Sequence, residues 1–246
     1  AVKASTELEF SQGLEKEREL FKLCHDSNES SSLIHMFFSE RQALKIPDVP
    51  KETKILPINS AAVIGCGTMG GGIAMNFANI GIPVTVIENS QASLDKGMKI
   101  IETNYSNTVA KGRMSEDDFK NKMSLIKGAT SLESISSADV VVEAVFEEMS
   151  LKKEMFERID KIAKENCILA TNTSTLDIDQ IAESTTRPEY VIGTHFFSPA
   201  NVMKLLEIVR GKHTSKEVIA STMKLAKTIR KVPVLAGNCD GFIGNR

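Results

Sequence analysis

The chain reads as a doubly wound α/β protein with a mostly parallel sheet, a helical hairpin projecting from the sheet and a short helical segment in front. Three observations carry that reading. An apolar run, Ala61 to Ile64, breaks into the glycine pattern Gly65-Cys66-Gly67-Thr68-Met69-Gly70. A second apolar run, Val84 to Ile87, ends on the acidic Glu88. From Ile58 onward, short apolar strands alternate with helical patterns, as they do where helices cover both faces of a parallel sheet. Together these describe a Rossmann-type sheet.

Residues 1–50 are expected to be helical and polar: Leu8, Leu14, Leu20 and Leu23 lie among Glu and Lys, Ser30 to Ser32 break the pattern, and a second helix runs from Leu33 to Leu44. Pro47, Pro50 and Pro57 then mark a linker. Residues 51–238 are expected to form the main domain. Its strand candidates are Ala61 to Ile64, Val84 to Glu88, Met123 to Ile126, Val140 to Glu143, Cys167 to Thr171, Tyr190 to Thr194, Leu205 to Val209 and Val232 to Leu235. The polar helical stretch Gln91 to Asn121 exceeds an ordinary crossover helix and is therefore expected to fold as the hairpin.

The glycine pattern has a mechanical meaning. Gly65 permits the tight strand-to-helix turn, Gly67 lets the backbone approach a pyrophosphate, and Gly70 lets the helix pack on the strand. With Thr68 and Met69 these residues form a helix N-terminus whose N–H groups hold anions. Met69, Ile73, Phe77 and Ile80 follow at helical spacing, so a buried helix face succeeds the loop as the motif requires. Glu88 falls where a carboxylate accepts hydrogen bonds from the adenosine ribose and repels a 2′-phosphate, favouring NAD over NADP. A solvated strand-end glutamate is the plainer alternative.

Composition narrows the partners. Thirty basic against 32 acidic residues give a net charge of −2, so no global basic field favours nucleic acid. No apolar run approaches the roughly 18 residues of a membrane span. Cys24, Cys66, Cys167 and Cys239 are scattered, without C-x-x-C pairing or a neighbouring histidine at ligand spacing, so no metal site is expected.

Ligands of such sheets bind at the carboxyl ends of the strands, where three features stand out. Thr171-Asn172-Thr173-Ser174-Thr175 follows an apolar strand, though such a cluster also simply caps helices. His195 ends another strand, a position where histidine is often structural. Glu207 lies in the aliphatic run Lys204 to Val209, and a carboxylate buried there needs a partner. His195 is the natural one, because the Ser198 to Asn201 turn separates the two strands and a carboxylate behind an imidazole makes it a better base.

Four motifs, N-T-S-T at 172–175, G-T-H-F-F-S-P at 193–199, K-L-L-E-I-V at 204–209 and D-G-F-I-G-N-R at 240–246, resemble the L-3-hydroxyacyl-CoA dehydrogenases of fatty acid β-oxidation. The resemblance implies NAD as cofactor, a 3-hydroxyacyl-CoA/3-oxoacyl-CoA substrate pair, His195 as base, Glu207 as its partner, and Ser174 and Asn245 as substrate contacts. It implies Glu147 and Lys152, within and after V-V-E-A-V-F-E, as cofactor neighbours, and Lys111, beside Lys96 and Lys99, as a CoA contact. Ser198 stands where single-function enzymes have Asn, which weakens the assignment of Ser198 to the nicotinamide site, and Glu88 stands where they have Asp, which keeps the charge on a longer arm.

The H-F-F-S-P-A form is more similar to the peroxisomal-type multifunctional enzymes that fuse an enoyl-CoA hydratase/isomerase to this dehydrogenase. On that reading residues 1–50 resemble the end of a hydratase domain plus linker, and residues 239–246 the start of a helical carboxyl-terminal dehydrogenase domain. The resemblance implies a peroxisomal home, with the mitochondrial matrix as alternative. A dinucleotide-binding module without turnover is the competing functional expectation.

Overall fold

A computed structural model describes residues 1–246, which divide into two compact units, Ala1–Lys45 and Ile46–Arg246. In the first, α1 (Val2–Glu7), α2 (Phe10–His25) and α3 (Asn28–Ala43) bury no residue. Ser27 caps α3 by accepting the Ser30 N–H, and Phe10, Phe21, Leu33 and Phe38 stay exposed.

The second unit is built on eight strands. In chain order these are β1 (Ala61–Ile64), β2 (Val84–Ile87), β3 (Ile126–Ala129), β4 (Val140–Glu143), β5 (Ile168–Thr171), β6 (Val191–Phe196), β7 (Leu205–Arg210) and β8 (Val232–Gly237). They lie in the order β3-β2-β1-β4-β5-β6-β7-β8, parallel except for the antiparallel pair β6 and β7. The chain reverses its winding between β1 and β4, the crevice where ligands of such sheets bind. β1, β4 and β5 are buried throughout, as strands covered on both faces must be, which explains sequences that are apolar but for the final Glu143 of β4 and Thr171 of β5.

Two apolar cores flank the sheet. On one side α4 (Thr68–Asn79) and α9 (Lys216–Thr228) bring Ile73, Phe77, Val218 and Met223 against Val63, Val142 and Ile208. On the other, α7 (Met149–Ile162) and the short α8 (Ile178–Ala182) bring Phe156, Ile159 and Ile181 against Val141, Leu169 and Val209. Arg187 bolts the α7 side, pairing with Asp160 at 2.6 Å and donating to the Asp160 and Ala163 carbonyls.

The expected hairpin forms as α5 (Gln91–Ala110) and α6 (Glu116–Ser124), capped by Ser90 and Ser115 and joined through Gly112 at positive φ. α5 turns Leu94, Gly97, Ile101 and Tyr105 inward at helical spacing. Gly97 is required there: a β-carbon at that position would strike Cys66 of the glycine loop. The third strand differs from the sequence expectation. Met123 belongs to the end of α6, and β3 begins only at Ile126, because this edge strand buries Ile126 alone and shows no apolar run to read. No helix is long and apolar enough to cross a membrane.

Candidate active site

The turn from β1 into α4 is shaped by its glycines. Gly65 has φ +100, and a β-carbon on it would press on the Ala144 carbonyl of the loop after β4. One on Gly70 would run into the Gly65 carbonyl itself. Gly67 is the opposite case, with open space where its side chain would be. It is also the N-cap of α4 and makes no side-chain cap bond, and no acidic residue sits in the first turn. The N–H groups of the first turn, at Thr68 and Met69, are therefore left without a partner at the positive end of the helix dipole. This cradle fits a pyrophosphate. Glu88 closes the same corner, accepting the Cys66 N–H at 3.0 Å and the Asn89 N–H at 2.9 Å. Burial, then the nearby Glu88 charge, push the Cys66 thiol up to about 11, so it is protonated filler in the turn.

His195 and Glu207 come together through the sheet ladder. They are directly opposite in the antiparallel β6–β7 pair, a position that sets side chains of one face next to each other. His195 Nδ1 lies 2.7 Å from Glu207 Oε2, with the two side chains 8% and 1% exposed. The other oxygen of Glu207 accepts the backbone N–H groups of Ile243 (3.1 Å) and Gly244 (2.6 Å). A carboxylate so fully engaged fixes Nδ1 as the protonated nitrogen and leaves Nε2 without a protein partner. Phe197 and Phe242 wall the imidazole, with ring centroids at 4.4 and 5.8 Å. Neither ring stands out in the sequence, although Phe197, two residues after the expected base, was the available signal.

A second cluster gathers after β4 and β5. Glu147 Oε1 accepts the Thr173 hydroxyl (2.6 Å), the Ser174 N–H (2.6 Å), the Ser174 hydroxyl (2.9 Å) and the Thr175 N–H (3.3 Å). Burial raises the Glu147 pKa, but these bonds and the charge of Lys152 outweigh it and hold the carboxyl below its ordinary range. Asn245 donates to the Ser174 carbonyl at 3.3 Å, which joins this cluster to the turn that holds Glu207. His195, Glu207, Ser174, Asn245 and Glu147 thus form one chain of contacts.

Three expected site residues stand apart. Lys152 has no exposed surface: its ammonium lies 2.7 Å from Glu143 and 3.6 Å from Glu147, so in this structure it supports Glu147 from behind and presents nothing to a cofactor. Ionic demand explains this, since a buried ammonium goes to the nearest buried carboxylate. Ser198 is exposed with no hydrogen bond, and Lys111 is exposed at the tip of the hairpin.

A family profile described as "3-hydroxyacyl-CoA dehydrogenase, NAD binding domain" matches residues 60–239. The chain belongs to the 3-hydroxyacyl-CoA dehydrogenase family. Residues 60–239 are its NAD-binding domain. The chain is 43% identical, over its whole length, to the peroxisomal bifunctional enzyme of Cavia porcellus, and 43% identical over 95% of its length to a peroxisomal fatty acid beta-oxidation multifunctional protein of Arabidopsis thaliana. It spans about a third of the length of these curated relatives, 34% and 33%. Among solved structures it is similar to the dehydrogenase part of multifunctional enzyme 1 from C. elegans, with a TM-score of 0.71 and 32% identity over 81% of this chain and 48% of that one.

Proposed function

We propose that this chain oxidises (S)-3-hydroxyacyl-CoA to 3-oxoacyl-CoA, as one part of a multifunctional β-oxidation enzyme. The single observation that carries the reading is the His195–Glu207 pair, 2.7 Å apart, with the second imidazole nitrogen uncommitted. When bound, NAD⁺ supplies the hydride acceptor. His195 Nε2 takes the proton of the 3-hydroxyl as C3 gives up its hydride. Glu207 stabilises the imidazolium that results and keeps it facing the substrate. Ser174 and Asn245 hold the hydroxyl and thioester oxygens, so the reacting carbon is held in one orientation. Glu88 accepts from the adenosine ribose, Glu147 lies along the cofactor, and Ser198 lines the nicotinamide side. Lys111 meets the phosphates of CoA from the hairpin tip.

The relatives' names support a peroxisomal home for the parent enzyme, which we infer also carries hydratase/isomerase activity outside residues 51–246. A second reading has its own support: a chain spanning about a third of its relatives can bind the dinucleotide without completing the acyl pocket. Titrating NADH by its fluorescence and then assaying acetoacetyl-CoA reduction separates the two. Binding with turnover is expected, whereas binding without turnover selects the module.

A further inference from the structure

Glu143 closes β4 and touches no part of the groove, yet it is among the most fully engaged carboxylates in the chain. It sits in register with Ile64 of β1 on one side and Thr171 of β5 on the other, directly behind the glycine turn and the 172–175 cluster. Its side chain is 0% exposed. One oxygen accepts the Val145 N–H at 2.7 Å and Lys152 Nζ at 2.7 Å, and the other accepts the Thr171 hydroxyl at 2.6 Å and Lys152 Nζ at 3.0 Å. Lys152, also 0% exposed, then lies 3.6 Å from Glu147 Oε2, while Glu147 Oε1 holds Ser174.

We propose that Glu143 is a positioning residue, which fixes Lys152 beneath Glu147 and through that pair sets the Ser174 hydroxyl for the substrate. This rests on the reading of Ser174 as a substrate contact. Two features distinguish the arrangement from a plain internal ion pair. Lys152 divides its charge between a fully buried carboxylate and one that is 36% exposed, so Glu143 decides how much of that charge Glu147 receives. Glu147 in turn accepts a hydrogen bond from the Ser174 hydroxyl at 2.9 Å, so the place of that carboxylate fixes the orientation of the serine hydroxyl.

The test follows the titration of Glu147 by ¹³C-carboxylate NMR in the whole chain, assigned with Glu147→Gln. Removing the ammonium in Lys152→Met should raise the Glu147 midpoint. Glu143→Gln leaves the ammonium to Glu147 alone and should lower it further. Because an uncompensated buried charge can prevent folding, the doubly neutral Glu143→Gln/Lys152→Met variant is measured beside them, with the midpoint expected to move up as in Lys152→Met. In turnover, both lysine-free variants should lose about tenfold in kcat while NADH affinity holds, and Lys152→Arg should recover part of the loss. A Glu147 midpoint unmoved in the folded variants overturns the proposal. Absence of acetoacetyl-CoA turnover in the unmodified chain overturns the dehydrogenase reading instead, and the carboxylate titration still decides the role of Glu143.

Discussion

The turn after β1 and the pair on β6 and β7 solve different problems with different parts of the chain. The turn offers backbone: Gly65, Gly67 and Gly70 are there for what they lack, and the first turn of α4 has no side-chain cap and no acidic residue. The pair offers side chains held by a full set of partners, with Glu207 accepting from His195, Ile243 and Gly244. An anion needs only donors and room, so glycine suffices. Proton transfer needs one nitrogen at a fixed place with a fixed tautomer, which only a supported side chain provides. Binding and chemistry should therefore fail separately when each region is altered.

The largest separation is expected from His195→Gln. Under the proposed reading kcat for acetoacetyl-CoA reduction falls by roughly 10²–10⁴-fold, the usual range for a general base, while NADH fluorescence titration shows unchanged affinity. Near-normal turnover would remove the histidine from its role. The converse variant, Gly70→Ala, puts a β-carbon into the Gly65 carbonyl. NADH binding should weaken by more than about tenfold, or about 1.4 kcal/mol, measured by the same titration, with Glu207 and His195 still in contact in a crystal structure.

A stability contrast comes next. Burial raises the Asp160 pKa, but the bonds from Thr186 and Arg187 overcome it, so the carboxyl titrates below its ordinary 3.8. A depressed native value means that its stabilisation is complete above the unfolded value and is lost as the pH falls through the native one. Asp160→Asn, remote from both regions, should cost about 1–3 kcal/mol at neutral pH and flatten the acid side of a Tm–pH profile. The smallest effect concerns thiols. At pH 7.5 iodoacetamide should label the exposed Cys24 and Cys239 first, by mass spectrometry, and spare Cys66 and Cys167, whose thiols burial pushes up to about 11 and 12. Early labelling of Cys66 would show that the turn opens in solution.

The two regions also differed in how plainly the sequence declared them. The glycine turn was legible because its constraint is local: four consecutive apolar residues, three glycines at fixed spacing and an acid after the next strand describe it completely. The His195–Glu207 contact was reachable by a charge argument, since a buried carboxylate needs a partner, but the antiparallel register that makes it was not. The Glu143–Lys152 bond escaped notice because Glu143 reads as the polar end of a strand, and nothing local says that a lysine nine residues later turns inward. Two polar neighbours that satisfy each other leave no apolar pattern behind them. The displaced β3 has the same origin: with one buried residue, it carries almost no signal.

The dyad's distance is set by the ladder running from Gly193 opposite Val209 to Phe196 opposite Leu206, and not by the connection between those strands. Changes at the exposed Val202 and Met203 of that connection should therefore leave the pair in contact, whereas a shift in the register of β6 against β7 would part it.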